Sequence, residues 1–148
     1  MARRMDYHTL AGAGMQALNE VSASFDNCGI APKLRRLVEM RVSQINGCAF
    51  CLDLHARQLR DLGETQQRLD VLSAWDETSF FSTRERAALA WAETVTLVAT
   101  THVPDDAFAA VRAEFSESEI ANLTLIIATM NTWNRMAISF RSEPPPRQ

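Results

Sequence analysis

The chain of 148 residues contains only three cysteines and no apolar run that approaches membrane length. A secreted disulfide scaffold carries more cysteines over a shorter chain, so this class is excluded. Residues 1–6 are basic, but the apolar segment of a signal peptide does not follow them. We therefore expect a cytoplasmic protein, in a compartment where thiols stay reduced.

An excess of basic charge is also lacking. The net charge is −3, the isoelectric point is near 5.6, and the Lys and Arg residues are scattered among acids. This pattern gives no electrostatic footprint for nucleic acid, and we expect neither a nucleic-acid nor a membrane partner. Apolar residues make up 47% of the chain, which is enough to bury one core without help from disulfides or metal ions.

No stretch shows the alternation of apolar and polar residues that marks a β-strand. Turn and capping signals delimit helices instead. Pro32 opens a helix that the pair Asn46-Gly47 ends, and capping boxes at 82–85 and 116–119 start two later helices. The sequence therefore predicts an all-α fold.

We expect the helices to form a single-domain helical bundle over residues 1–143, followed by a flexible tail over 144–148, where three prolines are adjacent. A first helix over 9–25 is predicted to turn Leu10 inward. Phe108 is expected to be buried on a short helix that begins after Pro104.

The residues most suited to chemistry are Cys48, Cys51 and His55, which form a C-x-x-C-x-x-x-H motif. On a helix these positions share one face. The turn at Asn46-Gly47 places both thiols in the first turn of that helix, where the macrodipole favours a thiolate over a thiol. A thiol with a lowered pKa, a second thiol and a proton carrier are what thiol redox catalysis requires.

Two other interpretations of the motif remain. The cysteines are small enough to pack as buried apolar residues without chemistry. They and His55 also supply three zinc ligands, but a structural zinc site wants a fourth, which Cys28, His8 or His102 would have to bring. In that case the protein is a non-catalytic module that binds zinc or senses redox state.

Glu39 is the candidate base or relay acid. It lies nine residues before Cys48, and a sharp turn between the two helices brings it towards the thiol pocket. A carboxylate there orients His55 or a bridging water. The alternative is a solvated carboxylate outside the pocket.

Residues 41–55, which contain the motif, strongly resemble the alkylhydroperoxidase D-like branch of the carboxymuconolactone decarboxylase family. Residues 85–91 resemble the central helix of that family, and residues 131–135 resemble its C-terminal helix. The resemblance implies an all-α fold of the alkylhydroperoxidase D-like type. It also implies a homo-oligomer, commonly a trimer or hexamer.

The resemblance further implies a peroxidase that needs no bound cofactor or metal. Cys51 matches the cysteine that attacks the peroxide, Cys48 the partner that closes the disulfide, and His55 the relay histidine. The implied substrates are hydrogen peroxide and small organic hydroperoxides, and an external dithiol or lipoyl-type protein supplies the electrons. Thioredoxin-like motifs favour the first cysteine as nucleophile, so the order of the two roles stays open.

The sequence departs from the family at two positions. Arg36 stands where well-known members carry the relay glutamate, and Phe50 where they can carry a histidine. Glu39 is about one turn from Arg36 and is our candidate replacement for the acid. Without such an acid, general disulfide reduction becomes the alternative activity. Lactone decarboxylation is disfavoured, because decarboxylase members generally lack the cysteine pair.

Overall fold

A computed structural model describes residues 1–146 of the protein. Every regular element in these residues is helical. The α-helices are α1 (Tyr7–Leu10), α2 (Gly12–Ser24), α3 (Pro32–Asn46), α4 (Ala49–Asp61), α5 (Gln66–Val71), α6 (Thr83–Thr96), α7 (Val98–Thr101), α8 (Asp105–Arg112) and α9 (Glu117–Ser139). Short 3₁₀ helices cover Phe25–Asn27 and Leu72–Glu77. The predicted all-α fold is confirmed.

The helix α3 is the centre of the bundle and packs against α4, α6 and α9. Leu37, Val38 and Val42 of α3 are fully buried, because this helix is covered on more than one side. Val38 and Val42 belong to the larger core, which includes Leu123 and Ile127 of α9. Leu37 belongs to a smaller core between α3, α4, α6 and the 3₁₀ helix after α5.

The turn between α3 and α4 follows directly from the local sequence. Gly47 ends α3 in the left-handed region at φ 71°, where glycine carries no Cβ penalty. The N–H of Gly47 donates to the carbonyl of Gln44, and the N–H of Cys48 donates to that of Ser43. This is the Schellman pattern, and it lets Cys48 become the N-cap of α4 with no intervening loop.

The predicted capping boxes at Ser82–Glu85 and Ser116–Glu119 are both formed and begin α6 and α9. In each box the serine side chain accepts from the glutamate N–H while the glutamate side chain accepts from the serine N–H. Gly63, just after α4, also has a positive φ.

Two local predictions are wrong. The predicted first helix is broken at Ala11, whose φ of −111° and ψ of 36° are not helical, and Leu10 is 73% exposed. Phe108 is 41% exposed, because Val111 rather than Phe108 faces the core from the short helix α8.

Residues 143–146 have no regular secondary structure, and the remainder of the predicted tail, 147–148, lies outside the described residues. The start of the chain packs against the end of α9. The backbone N–H of Arg4 donates to the carbonyl of Phe140 at 3.1 Å, and the ring of Tyr7 contacts that of Phe140. Among residues 1–146, no helix is both long and apolar enough to cross a membrane.

Candidate active site

Cys48 and Cys51 form a disulfide at the N-terminus of α4, with their Cα atoms 5.3 Å apart. The backbone N–H of Cys51 points at the sulfur of Cys48 at 3.3 Å, so the cysteine itself caps the helix. Both side chains are buried, with 1% and 3% of their surface exposed. The predicted position of both sulfurs in the first helical turn is confirmed.

A cavity of about 380 Å³ opens beside this disulfide, between α3, α4 and α9. Cys51 lines the cavity, whereas Cys48 is not among its lining residues. Phe50, Met130 and Trp133 contribute much of the apolar wall. The fold therefore gives the two cysteines different surroundings. Cys51 borders the cavity, and Cys48 does not.

His55 lies one turn after Cys51 on α4 and also lines the cavity. Its Nδ1 is 3.0 Å from Oε1 of Gln58, and its Nε2 is 3.2 Å from the sulfur of Met130. A neutral ring that donates from Nδ1 to the Gln58 oxygen leaves Nε2 as its basic nitrogen. In this tautomer the basic nitrogen lies against the Met130 sulfur.

Glu39 is 5% exposed and lines the same cavity, so the alternative of a solvated carboxylate is wrong. Its Oε2 is 3.6 Å from Nδ1 of His55, which is an electrostatic contact but too long for a hydrogen bond. Two arginines hold the carboxylate in place. Arg35 donates from Nε to Oε1 at 2.9 Å, and Arg36 donates to Oε2 at 2.5 Å.

Burial lowers the pKa of His55 below its ordinary value, because the charged imidazolium would lose hydration. The Glu39 carboxylate and the hydrogen bond with Gln58 oppose this shift, whereas the positive charges of Arg36 and Arg35 reinforce it. His55 is therefore neutral at pH 7 and able to accept a proton. The carboxylate stabilises the imidazolium that forms when it does so.

Side-chain amides form hydrogen bonds around the turn that carries the cysteines. Asn134 of α9 is fully buried and donates to the Ser43 hydroxyl at 3.1 Å. Asn46, next to the turn, donates to the side-chain oxygens of Asn131 and Asn134 at 3.0 and 2.9 Å. These bonds tie the end of α3 to α9, so the N-terminus of α4 has a fixed position.

Sequence reasoning missed two partners of His55. Gln58 is three residues further along the same helix, and this spacing alone was enough to find it. Met130 lies on α9. Its contact with His55 joins residues 75 positions apart, and no local pattern indicates it.

The remaining candidate residues are apart from this centre or at its edge. Cys28 is a free, half-buried thiol packed against the larger core, and His102 is an exposed residue in the left-handed region at the end of α7. His8 borders the cavity from α1. Within residues 1–146, no group of three or more His, Cys, Asp or Glu side chains is arranged to hold a metal ion.

The fold and the site thus define a helical protein with a disulfide-bonded cysteine pair beside a cavity. A sequence model of the carboxymuconolactone decarboxylase family matches residues 10–94. The chain belongs to this family, in its alkylhydroperoxidase D-like branch. The resemblance drawn from the sequence is therefore confirmed.

Individual relatives agree with this assignment. The chain is 40% identical to the uncharacterized protein YdfG of Bacillus subtilis over 94% of its own length and 95% of that protein. A structure from Agrobacterium tumefaciens, of unknown function and provisionally assigned as the antioxidant defence protein AhpD, has a TM-score of 0.95 and 37% identity. That match covers 99% of this chain and 100% of the other.

A second structure, the AhpD core of a peroxidase-related protein from Ralstonia eutropha, has a TM-score of 0.82. Its identity is 21%, and the match covers 93% of this chain and 74% of the other. It supports the fold alone.

Proposed function

We propose that the protein is a thiol-dependent peroxidase that reduces hydrogen peroxide or small organic hydroperoxides. The observation that carries this proposal is the position of Cys51, which borders the cavity while bonded to a cysteine that does not. An attacking thiol must meet its substrate, and a resolving thiol need only reach the first one. The geometry thus favours Cys51 as nucleophile and Cys48 as resolving cysteine.

In the proposed cycle, His55 takes the proton from the reduced Cys51 thiol. The thiolate attacks one peroxide oxygen, so an S–O bond forms and the O–O bond breaks. The leaving oxygen takes the proton from His55 and departs as an alcohol or water. Cys51 is then a sulfenic acid. Cys48 attacks this sulfur and displaces water, which gives the disulfide seen in the structure. An external dithiol or lipoyl-type protein reduces the disulfide and is itself oxidised.

Glu39 takes the electrostatic part of the relay in this proposal. Its carboxylate lies 3.6 Å behind the ring nitrogen that faces away from Met130, so it stabilises the protonated ring. Gln58 holds the same nitrogen by hydrogen bonding. Glu39 therefore stands in for the acid that Arg36 replaces, and Arg36 positions it through an ion pair.

The proposal includes a homo-oligomer, a trimer or hexamer, in a reducing cytoplasm where dithiol donors are present. Leu97, Val98 and Leu125 are about half exposed, which supports contacts with another copy. Light scattering on the purified protein measures the number of copies in the assembly. A monomer at micromolar concentration would refute the proposed homo-oligomer.

The test is peroxide consumption with a dithiol as reductant. We expect Cys51→Ser and Cys48→Ser to lose turnover, while Cys28→Ser, the matched control, keeps that of the wild type. In Cys48→Ser, dimedone should label Cys51 as a sulfenic acid, because no second thiol resolves it. Wild-type turnover in both Cys51→Ser and Cys48→Ser would refute the mechanism.

Two further measurements separate the alternatives. A stoichiometric pulse of peroxide should remove two thiols per reduced chain, as measured by thiol titration. A general disulfide reductase would instead react with a model disulfide and leave peroxide unconsumed. One zinc per chain in protein purified without chelator, together with unreactive thiols, would favour the non-catalytic zinc module.

A further inference from the structure

The cavity beside Cys51 is much larger than hydrogen peroxide. Its volume is about 380 Å³, whereas a water molecule takes up about 30 Å³ in the liquid. One wall is apolar and comes from α4 and α9, with Phe50, Leu54, Ile126 and Trp133. A cavity of this size and lining suits an organic molecule with an apolar body.

The part of the cavity lining that comes from α3 is charged. Arg35 and Arg36 both line the cavity, and Glu39 is the single acid among the lining residues. Arg35 is neutralised from two sides, because Asp26 accepts its NH1 at 2.9 Å and Glu39 its Nε at 2.9 Å. One buried carboxylate is thus shared between two guanidinium groups.

Arg36 is the cation with spare hydrogen-bonding capacity. Its NH1 donates to Glu39, and within residues 1–146 no other side chain or carbonyl accepts a hydrogen bond from it. A guanidinium has five donors. Its side chain is 23% exposed and borders the cavity, so the remaining donors are accessible to a bound molecule. Planar guanidinium groups match carboxylates in geometry as well as charge.

We propose that the cavity selects organic hydroperoxides that carry one carboxylate. The apolar body lies against Trp133 and Phe50, the carboxylate binds Arg36, and the peroxide group meets Cys51. This substrate class rests on the proposed peroxidase function. The reaction is the one already described, in which the O–O bond breaks and the alcohol leaves, and the carboxylate is unchanged by it.

The first test measures binding in the oxidised protein, which requires no turnover. The probes are 4-(2-hydroxypropan-2-yl)benzoate and the corresponding carboxamide, which have the same shape but differ in charge. By titration calorimetry we expect the carboxylate to bind at least about fivefold more tightly, with a preference that weakens as salt is added. Equal binding of the two probes, or no binding of either, would overturn the inference.

Variants then assign the preference to Arg36. Arg36→Gln should bring the ratio of the two affinities close to one, and Arg36→Lys should retain part of it. Arg41→Gln is the matched control, because Arg41 is on the same helix and pairs with Glu93 outside the cavity. Its ratio should equal that of the wild type. Thermal unfolding of each variant establishes that it is folded, and an unchanged ratio in folded Arg36→Gln contradicts the assignment.

The second test compares kcat/KM for the hydroperoxides of the same two compounds. The carboxylate should be the better substrate in the wild type and lose its advantage in Arg36→Gln. A protein that prefers the carboxylate probe but consumes no peroxide would refute the peroxidase function and keep the anion site. A protein that consumes both peroxides equally well would refute the anion site alone.

Discussion

Replacement of Glu39 by glutamine tests the part of the site that depends most on tertiary packing. Glutamine keeps the size and hydrogen-bonding shape of the side chain and removes its charge. His55 then loses the carboxylate 3.6 Å from its Nδ1. The imidazolium that forms when the ring takes the Cys51 proton is no longer stabilised, so the thiolate forms less readily and the apparent pKa of the Cys51 thiol rises.

The size of the effect follows from the contacts of the carboxylate. An opposite charge within about 4–6 Å shifts the pKa of the titratable group beside it by roughly 1–3 units, and here that group is the His55 imidazole. Arg35 and Arg36 lie closer to Glu39 than the imidazole does, at 2.9 and 2.5 Å, and they compete for the same charge. We therefore expect an effect at the lower end of that range, seen as about a tenfold slower alkylation of Cys51 at pH 7.

The variant should also be less stable. Removal of one partner of a buried ion pair costs about 3–5 kcal/mol. Arg35 keeps its bonds to Asp26 and to the carbonyl of Ser22, and the glutamine oxygen still accepts one hydrogen bond. We expect a loss of about 2 kcal/mol in the free energy of unfolding, measured by urea denaturation at pH 7.

The assay is the pH dependence of Cys51 alkylation by iodoacetamide, in protein that carries Cys28→Ser and Cys48→Ser. The midpoint should move to higher pH in Glu39→Gln. Glu93→Gln is the matched control, since Glu93 is a partly buried carboxylate that pairs with Arg41 and does not line the cavity. An unchanged alkylation profile in folded Glu39→Gln would remove Glu39 from the mechanism.

Three further predictions concern stability. Asn134→Ala should lower the free energy of unfolding, measured by urea denaturation, by about 3 kcal/mol. The substitution leaves the amide of Asn46 without one of its acceptors and opens a small void. A loss below about 1 kcal/mol would contradict this. His55 has a lowered pKa, so the unfolded chain takes up a proton as the pH falls through about 6.5 while the folded chain does not. Stability attributable to His55 is present above that pH and is lost as the pH falls towards the folded pKa. In His55→Gln the urea midpoint should change less between pH 7 and pH 5 than it does in the wild type. An equal change of the midpoint with pH in the variant and the wild type would refute this. Ser116→Ala removes a capping bond to the N–H of Glu119 and should lower stability by about 1 kcal/mol, with exposed Ser118→Ala as the unaffected control.

Much of the fold could be predicted because its signals lie within a few residues of one another. The Schellman turn at Gly47 and the capping box at Ser116 are closed by hydrogen bonds that span five residues or fewer. Phe108 could not be placed in this way. Phe108 and Val111 are three residues apart and share one face of α8, and the packing of α8 against α6 and α9 buries Val111 but leaves Phe108 partly exposed.

The sequence by itself determined the helical fold, the family and the common face of Cys48, Cys51 and His55. Helical periodicity and a glycine turn are local properties, so they follow from the order of residues. Tertiary structure alone decided that Glu39 is buried against His55, that Met130 closes the other side of the ring, and that a cavity with an available arginine borders Cys51. These contacts depend on how α3, α4 and α9 pack, and packing is set by the whole core rather than by any one segment.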